Sequence, residues 1–161
     1  MASNVVISKH SIVTPDIKTE LLYPRSGYDF NLNFEMLKSS LEKDIEMLYL
    51  LLIYNENDTS RMLNPSIIGY GLLYKHKNSC TRVSLKSTME FYKSGQIWLE
   101  FLDIKELYQC NGYGSYLIKA ITEDYPVVYL DSLMDAVGFY EKHHFHIIEE
   151  SDDGYFMSNV S

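Results

Sequence analysis

Two glycines in Gln109-Cys110-Asn111-Gly112-Tyr113-Gly114-Ser115 stand just ahead of a stretch with helical spacing. Lacking Cβ atoms, they let backbone amides approach a bound anion, and the positive end of the following helix favours negative charge. The segment suits a phosphate cradle; a tight packing turn uses the same spacing. It is not a nucleotide P-loop, which needs Lys and then Ser or Thr after the last glycine, nor a dinucleotide fingerprint, which needs a third glycine. Upstream, QIWLEFLDI (96–104) carries two carboxylates, Glu100 and Asp103, on a hydrophobic strand. Downstream, Lys142-His143-His144-Phe145-His146 gathers three imidazoles. On a helix His143 and His144 diverge by about 100°, and no Cys or carboxylate completes a tetrahedral set, so a solvent-facing helix end is expected and no metal is assigned.

The elements that must position these residues follow from spacing. As a regular strand, 96–104 puts Trp98, Glu100 and Leu102 on one face and Ile97, Leu99, Phe101 and Asp103 on the other. After a turn over Lys105 to Asn111, Tyr113, Tyr116, Leu117, Ala120 and Ile121 recur at helical spacing, which starts a helix near Gly112. Pro126 ends the connection, Val127 to Leu130 reads as a strand, Leu133 to Lys142 as a helix through Ala136, Val137 and Tyr140, and Phe145 to Ile148 as a last strand. Strand, loop, helix, strand predicts a right-handed parallel crossover. Earlier, Val5 to Val13 reads as a strand broken by Thr14-Pro15-Asp16, and Phe34, Leu37, Leu41, Ile45 and Leu48 predict an amphipathic helix from Phe30. Leu48 to Tyr54 fits either a helix end or a buried strand, and the turn residues Asn55 to Asp58 favour the strand. Ile67 to Tyr74 and Arg82 to Leu85 are further strand candidates. The class is α/β or α+β with a mixed sheet.

The chain has 161 residues, 46% of them hydrophobic, which suits one domain over 1–161 with one sizeable core. Its longest apolar run, Met47 to Tyr54, is about half of what a membrane span needs, so a soluble, cytoplasmic protein without a membrane partner is expected. Two cysteines, Cys80 and Cys110, do not make a zinc ribbon or a disulfide framework. Twenty-two acidic residues against 14 basic give a net charge of -8, a field that repels phosphate backbones and favours cationic ligands. Nucleic acid is therefore not an expected partner.

Gln109, Gly112 and Gly114 also fit the central loop of the GNAT superfamily, the acyl-CoA-dependent N-acyltransferases, and the chain resembles that family on both sides of the loop. Ile104, five residues before Gln109, stands where the family ends a bulged strand, and Ala136, Tyr140 and Phe145 fit its later helix and the Gly-Phe that follows. The resemblance covers about 67–148. It implies a mostly antiparallel central sheet flanked by helices, with a parallel β-α-β core that binds acetyl-CoA, and no metal. Leu102, Asp103 and Ile104 would offer backbone groups to the pantetheine arm as an added pseudo-strand. Gln109, Cys110, Asn111, Gly112, Tyr113, Gly114 and Ser115 would wrap the pyrophosphate, with Cys110 a loop passenger. Tyr140 would protonate the departing thiolate.

A general base must deprotonate an attacking ammonium, and Glu100 is the first choice, ahead of Asp103. Protein-acetylating members carry the base glutamate at the position of Trp98, two residues earlier. Leu133 replaces a common Asn, and His144 a common Gly. The implied activity is direct acetyl transfer to a primary amine, on a small molecule or a peptide lysine, without a covalent acyl-enzyme; the acceptor is expected to be cationic. The departures motivate a catalytically silent acyl-CoA-binding module as the alternative. Homodimerisation is a family-level expectation.

Overall fold

The computed structural model describes residues 4–23, 30, 33–54, 65–75 and 95–160. Strand β1 is Val5–His10, shorter than the pattern predicts. Thr14 and Pro15, read as a break, instead start helix α1, Pro15–Leu22: Thr14 is extended, its Oγ1 accepts from the Ile17 N–H, and Pro15 has no N–H to leave unsatisfied in the first turn. Helix α2, Phe34–Leu41, starts at Asn33, whose side chain accepts from the Glu35 N–H at 3.0 Å. It ends well before Leu48. Leu48 keeps helical spacing from Leu41 yet belongs to strand β2, Met47–Ile53, which buries side chains on both sides: Leu48 and Leu50 enter one core cluster, Tyr49 and Leu51 the other.

Strand β3 is Ser66–Lys75 and β4 is Ile97–Ile104. A turn of 3-10 helix at Glu106–Tyr108 leads to helix α3, Tyr113–Asp124, then strand β5, Tyr129–Leu133. β5 lies later than the pattern predicts, because the Val128 N–H is taken by the Asn159 side chain at 2.8 Å instead of a ladder partner. A 3-10 turn at Met134–Ala136 precedes helix α4, Val137–Lys142; strands β6, His146–Glu150, and β7, Gly154–Ser158, close the sheet. β7 has no counterpart in the sequence reading, and the candidate strand at 82–85 lies outside the described residues.

Among the described residues the sheet has the order β1-β2-β3-β4-β5-β7-β6 and is antiparallel except for β4 and β5, the parallel pair that α3 connects. One face packs α3 and α4 through Leu51, Ile68, Leu73, Leu99, Leu117 and Ile121. The other packs α1 and α2 through Leu21, Leu37, Leu41, Leu48, Ile67 and Leu72. No helix among the described residues is long and apolar enough to cross a membrane.

Candidate functional site

Strands β4 and β5 pair only at Trp98 with Tyr129 and Leu99 with Leu130. Beyond that point β4 stays paired to β3 as far as Ile104, and β5 to β7 as far as Leu133, so the two strands part, and among the described residues no strand ladder continues between them. Trp98 marks the closed end, stacked on Tyr129 at 5.6 Å and edge-on to Phe156 at 6.1 Å.

Leu72 pairs with Phe101 but Leu73 with Leu99, which leaves Glu100 as the extra residue of a β-bulge. One inserted residue resets the two-residue alternation downstream. Leu99, Leu102 and Ile104 therefore share the α3 face, while Phe101 packs on the α1/α2 face and Asp103 pairs with Tyr70 of that same cluster. Glu100 acts electrostatically on Tyr74, also in that cluster. The regular alternation expected from sequence, with the two acids on opposite faces, is thus corrected: Glu100 and Asp103 share the α1/α2 face.

The tyrosines beside them respond to burial and charge. Burial pushes the Tyr74 hydroxyl up to about 12, its hydrogen bond to the Ser40 carbonyl oxygen works the other way, and the Glu100 carboxylate raises it further. Tyr70 is fully buried and its hydroxyl is held well above the usual phenol range, first by desolvation and then by Asp103. Phe30 lies edge-on to Tyr70 at 4.9 Å, with the buried Lys105 ammonium 5.1 Å from the Phe30 ring centroid.

The loop after β4 is tied to the strand it leaves. The Lys105 N–H donates to the Ile68 carbonyl, the Gln109 side-chain amide to the Ile104 carbonyl (each 2.8 Å), and the Asn111 amide to the Gln109 carbonyl (2.8 Å) and Tyr108 carbonyl (3.3 Å). The Gln109 and Asn111 side chains thus shape the loop, and what they leave for a ligand is backbone. Cys110 is an exposed free thiol at φ 60°. Gly112 has φ 82°, and no described residue lies within 4 Å of where its Cβ would be. Among the described residues no side chain caps α3, so its first amides open onto this space. Tyr113 is buried against Tyr108 at 6.4 Å. A Cβ on Gly114 would lie 3.3 Å from the Phe139 ring, so this glycine sets how closely α4 approaches α3.

Tyr140 of α4 packs between Phe139 (5.1 Å) and Phe145 (5.6 Å), and no hydrogen bond among the described residues engages its hydroxyl. Burial raises its pKa well above the usual phenol range, so it carries its proton at neutral pH. His143, just past α4, joins Ser115 of α3 through Nε2 and Oγ at 2.9 Å; burial and then His144 lower its pKa. The cleft between these helices has a volume of about 810 Å³ and is lined by Gly112, Ser115, Tyr116, Lys119, Lys142 and His144 among others. His143 and His144 lie beyond the helix, with His144 at φ 64°, and His146 starts β6. Among the described residues no three His, Cys, Asp or Glu side chains gather as a metal site. The Ser115–His143 pair is the feature that sequence spacing did not single out: its members are 28 residues apart and meet only when α4 folds onto α3.

No curated protein matches the chain. Among solved structures, a GNAT family acetyltransferase from Streptococcus pneumoniae is 23% identical, over 89% of each chain, with a TM-score of 0.54. A protein from Pyrococcus horikoshii is 13% identical, over 98% of each chain, at 0.63. AtaTR bound with acetyl-CoA is 17% identical, over 97% of this chain and 94% of that one, at 0.55. At these identities the likeness is one of fold. The acetyltransferase (GNAT) family model matches residues 19–145, a span that holds the parted strands, the β4–α3 loop and Tyr140 alike, and the chain therefore belongs to the GNAT acetyltransferase family.

Proposed function

We propose that this GNAT member transfers an acetyl group from acetyl-CoA directly to a primary amine. The observation that carries the reading is the divergence of β4 from β5 after Leu99 and Leu130, which leaves a strand edge able to receive an extended ligand. The open, uncapped start of α3 at Gly112 fits the ligand's phosphates, and AtaTR has the same fold and binds acetyl-CoA. Acetyl-CoA supplies the activated acyl thioester. The backbone of Leu102, Asp103 and Ile104 holds the pantetheine arm on the α3 side, and the amides from Gly112 to Ser115 hold the pyrophosphate.

The acceptor enters from the α1/α2 face, onto which the bulge turns both carboxylates. There Glu100 takes the proton from the incoming ammonium, with Asp103 adding negative charge that draws a cation in. Tyr140, kept protonated by burial, gives its proton to the departing sulfur. A net charge of -8 favours a cationic acceptor, such as a polyamine, an aminoglycoside-like amine or a lysine side chain. The test is thiol release from acetyl-CoA across spermidine, a lysine peptide and an aminoglycoside, with CoA binding measured in parallel. Amine-dependent release supports the transferase. CoA binding without release for any amine favours the silent acyl-CoA-binding module, a reading that the exposed Leu133, in place of a polar family residue, motivates.

A further inference from the structure

The hydrogen bond between Ser115 and His143 joins the two halves of the proposed acetyl-CoA site. Ser115 lies in the first turn of α3, the third residue after Gly112, where backbone N–H groups are open. His143 follows α4, which carries Tyr140. The His143 ring packs on Phe139 at 4.9 Å, and Phe139 is the ring that sits against Gly114. Serine, imidazole, phenylalanine and glycine thus form one packed seam, of which Ser115 and His143 line a cleft of about 810 Å³.

A hydroxyl has one proton to give, and its direction depends on the state of the ring facing it. Opposite a neutral His143 with bare Nε2, the Ser115 O–H is spent on the ring, and the serine turns lone pairs toward the mouth of α3, the wrong polarity for an anion. Opposite an Nε2–H the roles reverse: Oγ accepts from the ring and the hydroxyl proton is free to point outward. The other charged and titratable groups around His143 are Tyr116, Lys119 and Glu123 on α3, Lys142 at the end of α4, and His144. Lys119 and Glu123 partly offset each other as an i, i+4 pair at 4.0 Å. Burial and then His144 disfavour an imidazolium at His143, and a bound anion reverses that balance.

We propose that Ser115 and His143 form a proton-coupled anion-recognition pair: an anion at the start of α3 draws a proton from solvent onto His143 Nε2, the new N–H donates to Ser115 Oγ, and the Ser115 hydroxyl turns outward to donate to the anion. The inference rests on the acetyl-CoA reading and adds a proton to it. His143 is a positioning residue that acts through Ser115, and binding of the phosphate-bearing cosubstrate strengthens as pH falls.

Calorimetric titration of the full chain with CoA near pH 6.5, in two buffers of different ionisation enthalpy, counts the protons taken up. His143→Gln is the control, since it keeps an amide donor for Ser115 but cannot titrate; proton changes on CoA itself are common to both proteins. The expected result is greater uptake by the wild type. A rise of about one unit in the His143 pKa makes CoA binding about tenfold tighter at low pH, a gain absent from His143→Gln. Ser115→Ala, with His143 intact, is expected to weaken CoA binding and flatten its pH dependence. Equal uptake by wild type and His143→Gln overturns the proposal, as does a neutral Nε2–H imidazole in the nitrogen NMR spectrum of the complex, since that tautomer frees the serine without a proton. Absence of any CoA binding, read as no rise in Tm at saturating CoA, overturns the acetyl-CoA reading itself and is distinct from binding without proton coupling.

Discussion

Tyr140 is the residue on which the chemistry turns most directly. Tyr140→Phe keeps the ring between Phe139 and Phe145 and removes only the hydroxyl. CoA affinity is expected to hold while amine-dependent turnover falls about 100-fold or more, read as kcat from thiol release. Because burial raises the phenol's pKa, its protonated form persists through neutral into alkaline solution, so loss of this acid produces no fall in rate below about pH 10. His144 carries the opposite kind of signal. The resemblance expects glycine there, and φ 64° supplies the reason, since a side chain in left-handed backbone costs about 1–2 kcal/mol. His144→Gly is expected to raise the unfolding free energy by about 1 kcal/mol, measured by denaturant titration. Sequence revealed the departure; only the dihedral angle explains it.

At the scale of elements, two glycines separated by one residue have separate duties that substitution can part. Gly112→Ala meets no neighbour among the described residues but forces a side chain into positive φ, a strain of about 1–2 kcal/mol at the mouth of the phosphate loop. Gly114→Ala is compatible with the helix yet presses on Phe139, at a cost of about 1 kcal/mol. Phe139→Leu is expected to relieve Gly114→Ala and not Gly112→Ala, a pattern that chemical denaturation of the single and double variants reads as coupling. The crossover from β4 through α3 to β5 was legible because each part carries its own period and the glycines punctuate it. The bulge at Glu100 was not, because it arises from the register between β4 and β3 and changes nothing in the spacing of β4 alone. Helix α1 escaped for a similar reason: Thr14-Pro15 serves equally as a break or a helix start, and α1 buries only Leu21 to declare a face.

Across the whole molecule, Asp124 at the end of α3 receives both the Lys9 ammonium from the edge strand at 2.5 Å and the Tyr49 hydroxyl from β2 at 2.6 Å. Hydrogen bonds from Lys9 and then Tyr49 lower its carboxyl pKa. A lowered carboxylate contributes stability above its unfolded pKa, near 4, and that contribution is lost as pH falls through the folded value. Asp124→Asn is therefore expected to lower the Tm at pH 7 and leave it nearly unchanged at pH 2, with a modest effect because both charged partners are over a third exposed. The strand parting that makes the site is a property of the same scale, set by which neighbours β4 and β5 keep. Hydrogen exchange of backbone amides with and without saturating CoA tests it most directly. Slowed exchange at Leu102 to Ile104 and Gly112 to Ser115 is the expected result; CoA binding that leaves both segments unprotected would contradict the placement of the cosubstrate between the parted strands and the start of α3.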